Sequence, residues 1–200
     1  MPQNSKLPTI VIFTTVVLDS MGIGIIIPVM PALFAEVTGS AKISDIAIWG
    51  GLLASTFALM QFIFGPILGA FSDKYGRKPI LLLALFIMAA YYLLMGFAQT
   101  LWLLFLGRLI GGITAATHAT AKAYMADISL PEEKAARFGM LGAGFGLGFV
   151  LGPLIGGLLG EWGSRTPFFV AAILAAANGV LCLFVLRESL ETKNRREFMW

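Results

Sequence analysis

Long apolar runs separated by short polar segments organise this 200-residue chain. A helix that crosses a bilayer needs ~20 mostly apolar residues, and six runs are long enough. They cover residues 8–34, 46–70, 79–98, 101–127, 138–160 and 167–187. The segments between them carry the turn formers and most of the charges. The pattern therefore predicts an all-α, polytopic membrane protein with six transmembrane helices, for which the lipid bilayer is the first partner.

Composition agrees with this prediction and excludes other classes of protein. Charged residues make up 12 % of the chain, whereas soluble domains carry about 25 %. One cysteine, Cys182, rules out a disulfide scaffold, and one histidine, His118, rules out a His-rich zinc site. The sequence holds no Ser-His-Asp signature, phosphate loop or metal-ligand cluster. We therefore expect no enzyme, no cofactor, no metal and no nucleic-acid partner.

Lysine and arginine are distributed unequally between the two sides of the predicted bundle. With the N-terminus inside, ten of the 14 lie in inner segments, and two, Lys42 and Arg165, lie in outer segments. The remaining two, Arg108 and Lys122, fall within the fourth span. Because inner loops of membrane proteins are enriched in basic residues, both termini of the chain are predicted to be cytoplasmic. The expected location is the inner (plasma) membrane of the cell.

The chain matches itself at an offset of 88 residues, with eight identities. Arg77 falls on Arg165, and Asp73 falls on Glu161. Three spans lie between the segment around Asp73 and the segment around Glu161. The first segment is therefore predicted on the inner side of the membrane and the second on the outer side. Two three-helix units of opposite topology form an inverted repeat, which is typical of secondary transporters and places the substrate near the bilayer midplane.

These observations predict the domain organisation. Residues 1–187 would form one six-helix bundle, made of repeats at about 8–98 and 101–187. Residues 188–200 are strongly charged and would begin a cytoplasmic linker.

The loop after the second span carries a spaced set of small and charged residues. It reads Gly69-Ala-Phe-Ser-Asp73-Lys74-Tyr-Gly76-Arg77-Lys78. Asp73 and Arg77 are four residues apart, close enough to pair, and Gly76 permits a tight turn. The loop resembles the signature of the major facilitator superfamily, Gly-x-x-x-Asp-Arg/Lys-x-Gly-Arg-Arg/Lys, at every specified position. The resemblance implies a cytoplasmic gating motif in which Asp73, Arg77 and Asp127 latch the outward-facing state; the alternative is a topological marker only.

Further segments narrow the resemblance to drug/proton antiporters of the tetracycline/proton type. The run from Leu18 to Pro31 looks like their first helix, and Gly107-Arg108-Leu-Ile-Gly111-Gly112 resembles their fourth-helix motif. The fifth span matches their helix-packing motif at Gly148, Gly152, Pro153, Gly156 and Gly157. Family members have two six-helix halves. This chain would be the N-terminal half, with a C-terminal half or a second copy as its partner.

Charges inside the spans are the first candidates for a proton and substrate pathway. A charge at the centre of a spanning helix costs on the order of 2.5–3.5 kcal/mol. Asp19 is the carboxylate that lies well inside a span and could accept a proton or a cationic group. The repeat offset places Asp19 and Arg108 at similar depths and favours a pair between them, direct or through water. The resemblance assigns Asp19 to the substrate pathway and Arg108 to proton coupling, with protons as the coupling ion.

Four other polar residues are candidates for the same pathway. Lys122 and His118 lie with Arg108 in a stripe of roughly 80° on the fourth span. Lys122 either snorkels to the headgroups or lines a cationic vestibule for acidic or zwitterionic substrates. His118 either packs in the core or titrates, since histidine has an unperturbed pKa of about 6.5.

Tyr91 replaces an Asp of the tetracycline branch, which weakens tetracycline as the substrate, and Gln61 keeps a polar position of the branch.

The expected function is a proton-coupled antiporter that exports small amphipathic compounds or drugs. Two alternatives stay open: a proton-coupled uptake symporter, and a non-transporting membrane scaffold or truncated fragment. The fifth-span motif favours antiport over uptake. Asp19 and Arg108 argue against a scaffold, because a scaffold has no need of charges within the membrane.

Overall fold

The computed structural model describes residues 6–39, 42–115, 117–190 and 195, and this part of the chain is all-helical. It contains one 3-10 turn (Pro131–Glu133) and seven helices: α1 (Lys6–Thr38), α2 (Ile43–Tyr75), α3 (Arg77–Phe97), α4 (Leu101–Thr114), α5 (Thr117–Asp127), α6 (Lys134–Gly160) and α7 (Thr166–Val185). Six segments are long and apolar enough to cross a membrane, with α4 and α5 together forming the fourth. The predicted all-α bundle of six crossings is confirmed.

The fourth crossing is interrupted between α4 and α5. α4 ends at Thr114, whose Oγ1 donates hydrogen bonds to the carbonyl oxygens of Ile110 and Gly111, both at 3.1 Å. Thr117 begins α5, and its Oγ1 donates to the Thr114 carbonyl at 3.0 Å. The Gly111 carbonyl also accepts the backbone N–H of Ala115 at 3.0 Å, so the Thr114 hydroxyl adds a second donor to it at the end of α4. The interruption puts His118 in the first turn of α5.

Glycines on α6 allow it to lie directly against α1. A Cβ atom on Gly152 would come within 2.6 Å of the Met21 carbonyl oxygen and 2.7 Å of Gly24 Cα. A Cβ atom on Gly24 would in turn meet Pro153 Cδ at 2.8 Å. Small residues permit this backbone approach in a membrane, where close packing holds helices together. The contact fixes the position of Asp19 relative to α6.

Two helices leave most of their surface uncovered. Of the α2 residues, only Leu53 and Ser72 are buried, and Phe62 on the same helix is 80 % exposed. α6 buries one glycine-lined face and exposes large apolar side chains such as Val150 and Leu154. Contiguous apolar surface is normal toward lipid or toward another helical unit. α2 and α6 therefore present the open side of this bundle.

The segment after α7 folds back onto the bundle. Leu186 is buried, and Arg187 offers its carbonyl oxygen to the Tyr124 hydroxyl at 2.8 Å. Of the predicted linker 188–200, residues 191–194 and 196–200 lie outside the described residues. Its first residues contact the ends of α3 and α5.

Candidate functional site

A cleft of about 460 Å³ lies between α1, α2, α5 and α6. Apolar side chains form most of its walls: Val16, Ile23, Phe57, Leu141 and Phe145. Three polar residues predicted for the pathway line it as well, namely Gln61, His118 and Lys122. A concave, mainly apolar site with a few polar groups is typical of small-molecule binding.

Asp19 is buried and contacts His118, one of the residues that line this cleft. The carboxylate is 3 % exposed, and its Oδ2 atom lies 2.5 Å from His118 Nδ1. This is an ion-pair contact rather than an aligned hydrogen bond, since Oδ2 accepts no hydrogen bond of ordinary geometry within the described chain. The imidazole packs edge-on against Phe145, with ring centroids 5.2 Å apart. A buried carboxylate is thus held beside a titratable base.

The direct pair between Asp19 and Arg108 is not formed, and this corrects the sequence prediction. Within the described residues, the ion-pair partner of Asp19 is His118. The repeat offset relates the two positions along their helices but does not give the direction of each side chain around its helix. α5 packs against α1 more extensively than α4 does, so a residue of α5 reaches Asp19.

Arg108 instead turns toward α2. Its guanidinium carbon lies 5.8 Å from the centroid of the Phe57 ring, a cation–π distance. Its Nε atom is buried and has no hydrogen-bond partner in the described part of the chain. Phe57 also lines the cleft, so Arg108 lies behind one wall.

Tyr91 is buried beside Tyr92 rather than in the cleft wall. The two ring centroids are 4.3 Å apart, and the exposed fractions are 3 % and 1 %. Tyr91 therefore lies in the core behind the cleft and not in its lining.

A charge cluster forms at the end of the bundle where α2 gives way to α3; we call it the Arg77 cluster. The Arg77 guanidinium lies 2.5 Å from an Asp73 carboxylate oxygen and 3.2 Å from one of Asp127. It also donates to Ser72 Oγ at 2.7 Å. The structure thus brings Asp73, Arg77 and Asp127 together and joins the ends of α2, α3 and α5. On the same loop, Lys78 Nζ donates to the Leu183 carbonyl oxygen of α7 at 2.8 Å.

Glu188 belongs to the Arg77 cluster, and sequence reasoning missed it. Its carboxylate accepts hydrogen bonds from the backbone N–H groups of Arg77 at 2.8 Å and Lys78 at 3.2 Å. It therefore caps the N-terminus of α3, where N–H groups lack helical partners and the helix dipole favours an anion. Gly76 leaves room for it, with a φ of 110° that favours glycine. The two partners are 111 residues apart, so no local spacing indicates the contact.

Glu188→Ala is expected to loosen the start of α3. Loss of a helix cap costs about 1 kcal/mol, which corresponds to about fivefold faster local opening. Hydrogen–deuterium exchange of the peptide around Arg77 and Lys78 measures this opening. Glu132→Ala, at an exposed glutamate of the 3-10 turn, is the matched control. Equal exchange in the two variants would show that Glu188 does not cap α3.

A second charge cluster lies at the opposite end of the bundle, around Arg165. Its guanidinium lies 2.9 Å from a Glu36 carboxylate oxygen and donates to the carbonyl oxygens of Gly96 at 2.9 Å and Ala98 at 2.7 Å. Arg165 immediately precedes α7, as Arg77 begins α3. The two arginines that the repeat offset aligns therefore each join helix ends, at opposite ends of the bundle.

Comparison with known proteins agrees with this architecture. The profile of the Major Facilitator Superfamily matches residues 12–199. The chain belongs to this superfamily. Membership confirms the family predicted from the loop motif, as well as the expectation of a multi-pass membrane protein that is not an enzyme.

Relatives within the superfamily carry drug-resistance names. The chain is 46 % identical to the class B tetracycline resistance protein of Escherichia coli, over 90 % of this chain and 43 % of that protein. It is 33 % identical to multidrug resistance protein 2 of Bacillus subtilis (strain 168), over 94 % of this chain and 46 % of the relative. The chain thus spans about half the length of the curated relatives it matches.

A solved structure of the superfamily shares the fold. The human organic anion transporter MFSD10 (TETRAN) matches with a TM-score of 0.84 and 27 % sequence identity. The match covers 96 % of this chain and 50 % of the human protein. The six crossings of this chain therefore correspond to half of the larger fold.

The glycines of the helix-packing motif on α6 point in two directions. Gly148, Gly152 and Gly156 point at α1, where an added Cβ would meet backbone atoms of that helix. Gly157 has open space around it, as does Gly69 near the end of α2. Gly148, Gly152 and Gly156 thus pack against α1 within the described bundle. Gly157 lies on the open side of α6.

Proposed function

We propose that this chain is the N-terminal half of a proton-coupled antiporter that exports small amphipathic compounds or drugs. The observation that carries the proposal is the contact between the buried Asp19 carboxylate and His118, a residue that lines an apolar cleft. Relatives named for tetracycline and multidrug resistance support export of drugs. The proposed location is the plasma membrane, with both termini cytoplasmic.

Competition for Asp19 is the proposed coupling step. Asp19 is linked to the cleft through His118, and its ionised form attracts a protonated imidazole. A proton on Asp19 removes that charge and releases the imidazole. A cationic or hydrogen-bond-donating group of the substrate needs the ionised form, so proton and substrate disfavour each other's binding. Such reciprocal coupling shifts the balance between inward-facing and outward-facing states.

The Arg77 cluster is the proposed cytoplasmic latch of the outward-facing state. Its ion pairs hold the ends of α2, α3 and α5 together and must separate when helices move apart. The exposed faces of α2 and α6 are the proposed contact with the C-terminal six-helix half, which would close the cleft from the other side.

The role of His118 is tested with the full-length protein that contains this chain. We expect His118→Ala to reduce proton-driven drug uptake by everted vesicles about tenfold or more, because Asp19 loses its charged partner and an uncompensated charge in the membrane is costly. Proton release from acidified vesicles on addition of tetracycline, ciprofloxacin or ethidium reports antiport directly. His118→Gln is the companion variant, since its amide can donate to Asp19 but cannot carry a proton. Unchanged transport at every pH in both variants would make His118 a packing residue.

A further inference from the structure

The Asp19 carboxylate is separated from the cleft that a substrate would occupy. Asp19 is 3 % exposed, and of the described residues that line the cleft none is Asp or Glu. His118 does line the cleft, and its Nδ1 atom lies 2.5 Å from Asp19 Oδ2. The imidazole of His118 therefore lies between a compound in the cleft and the carboxylate proposed to bind the proton.

Among the described residues, the imidazole of His118 has one ion-pair contact and one ring contact. The ion-pair contact is with Asp19. The ring contact is with Phe145 of α6, whose centroid lies 5.2 Å from that of the imidazole, with the ring planes at 77°. The imidazole Nε2 atom has no hydrogen-bond partner in the described chain. Because edge-to-face ring pairs favour a fixed geometry, the Phe145 ring sets the direction in which the imidazole faces Asp19.

Phe145 is itself part of the cleft wall and is 42 % exposed. Its ring stacks on Phe149, with centroids 6.1 Å apart and planes at 14°. A Cβ atom built on Gly142 or Gly146 would meet nothing within 4 Å in the described chain, so the surface of α6 beside Phe145 is open. Exposed side chains change rotamer within picoseconds to nanoseconds. A compound that fills the cleft of about 460 Å³ therefore contacts the Phe145 ring and can displace it from His118.

We propose that Phe145 is a positioning residue for proton coupling, an inference that rests on the proposed function and deepens it. In the empty cleft, its ring holds the imidazole of His118 beside Asp19. A compound that displaces the ring also frees the imidazole and uncovers the carboxylate, which then stabilises a cationic or hydrogen-bond-donating group. The imidazolium, no longer beside a negative charge, loses its N–H proton to water. No other bond is broken, and the proton that leaves is the one exchanged for the compound.

The helices around the pair carry other titratable groups, but these do not contact it. They are Arg108 on α4, Lys122 on α5, Tyr91 and Tyr92 on α3, and Cys182 on α7. In the described chain, none of them forms an ion pair or ring contact with Asp19 or His118. α2 and α6 contribute no charge, since residues 46–72 and 138–160 contain no Asp, Glu, Lys, Arg or His. A substitution at Phe145 therefore acts on the Asp19–His118 pair through the imidazole.

Proton release at saturation tests the positioning role. Purified full-length protein in weakly buffered detergent solution is saturated with tetracycline, ciprofloxacin or ethidium, and the protons released per bound molecule are counted. Saturation removes the effect of a substitution on affinity. We expect Phe145→Leu to release about half the native number or fewer, because leucine has no ring to hold the imidazole in the empty cleft. Phe145→Tyr keeps the ring and should restore the release, whereas native release by Phe145→Leu would overturn the proposal.

Two controls show whether the effect passes through His118. Phe149→Leu removes a ring of the same helix that has no described contact with His118, and it should release protons as the native protein does. In a His118→Gln background, Phe145→Leu should cause no further loss, because the effects of residues that act through one another do not add. An equal loss in Phe149→Leu, or an additive loss in the double variant, would contradict a role through His118.

The reactivity of the imidazole reports its position without any transport. Trypsin cleaves after Arg108 and Lys122, so residues 109–122 form one peptide, which contains His118. Diethyl pyrocarbonate modifies neutral imidazoles, and mass spectrometry of this peptide gives the rate of modification. Without any compound, we expect modification to be about fivefold faster in Phe145→Leu than in the native protein, the factor that corresponds to the loss of one edge-to-face ring pair. An unchanged rate would overturn the proposal.

The two measurements separate this inference from the proposed function. If the native protein releases no protons but Phe145→Leu still exposes the imidazole, proton coupling fails and Phe145 remains the residue that positions His118. If the native protein and Phe145→Leu release protons equally, antiport stands and the positioning role fails. If none of the three compounds binds the native protein, both proposals fail.

Discussion

Asp19→Asn is expected to abolish proton-coupled transport by the full-length protein and to leave its folding intact. Asparagine has nearly the same shape and can still contact His118, but it cannot gain or lose a proton. Groups that transfer protons typically contribute at least a hundredfold to a rate, so we expect drug-driven proton release to fall by about that factor. Acidified everted vesicles with a pH-sensitive dye measure the loss.

Two controls separate a coupling defect from a folding defect. Asp19→Glu keeps a carboxylate and should retain part of the proton exchange. Exchange of labelled drug across the membrane without a proton gradient should survive in Asp19→Asn, because binding and helix movement remain. Normal proton exchange by Asp19→Asn would remove Asp19 from the coupling mechanism.

Gly152→Ala, on the face of α6 that packs against α1, is expected to destabilise the bundle more than a methyl group added on the open face of the same helix. The added Cβ would lie within 3.0 Å of backbone atoms at Met21 and Gly24, and a backbone cannot move aside as a flexible side chain can. Overpacking typically costs about 1–3 kcal/mol, which lowers the melting temperature by about 3–10 °C for a unit of this size. Thermal unfolding of purified protein, followed by tryptophan fluorescence, measures the shift.

Gly157→Ala is the matched control for this prediction. It makes the same substitution on the same helix, but nothing lies within 4 Å of the added atom in the described chain. A small shift for Gly157→Ala beside a large one for Gly152→Ala would support the α1–α6 contact as the main packing contact. Equal melting temperatures for the two variants would contradict it.

The six crossings and the Arg77 loop were predictable because their signals are local. A crossing needs one continuous apolar run, and the Asp73–Arg77 pair follows from four-residue helical spacing. The predicted spans differ from the observed helices mainly at their ends, as at the end of α2, where polar residues continue the helix to Tyr75. Helix ends depend on local hydrogen bonds that hydropathy does not describe.

The partner of Asp19 was not predictable in the same way. The repeat offset relates Asp19 to the position next to Arg108, but it does not indicate that a residue of α5, His118, contacts Asp19. Glu188 and Arg165 illustrate the same limit, because each contacts groups far away in sequence. Contacts of this kind depend on how the helices pack against one another. The spacing of residues in a single sequence does not specify that packing.

Proton release on drug binding tests the central claim most directly. Purified full-length protein in weakly buffered detergent solution is mixed with a compound that vesicles accumulate, and the pH change is recorded. Competition at Asp19 predicts that binding releases protons from the native protein and that Asp19→Asn binds the compound without releasing them. Equal proton release by the two proteins would show that the coupling group lies elsewhere in the transporter.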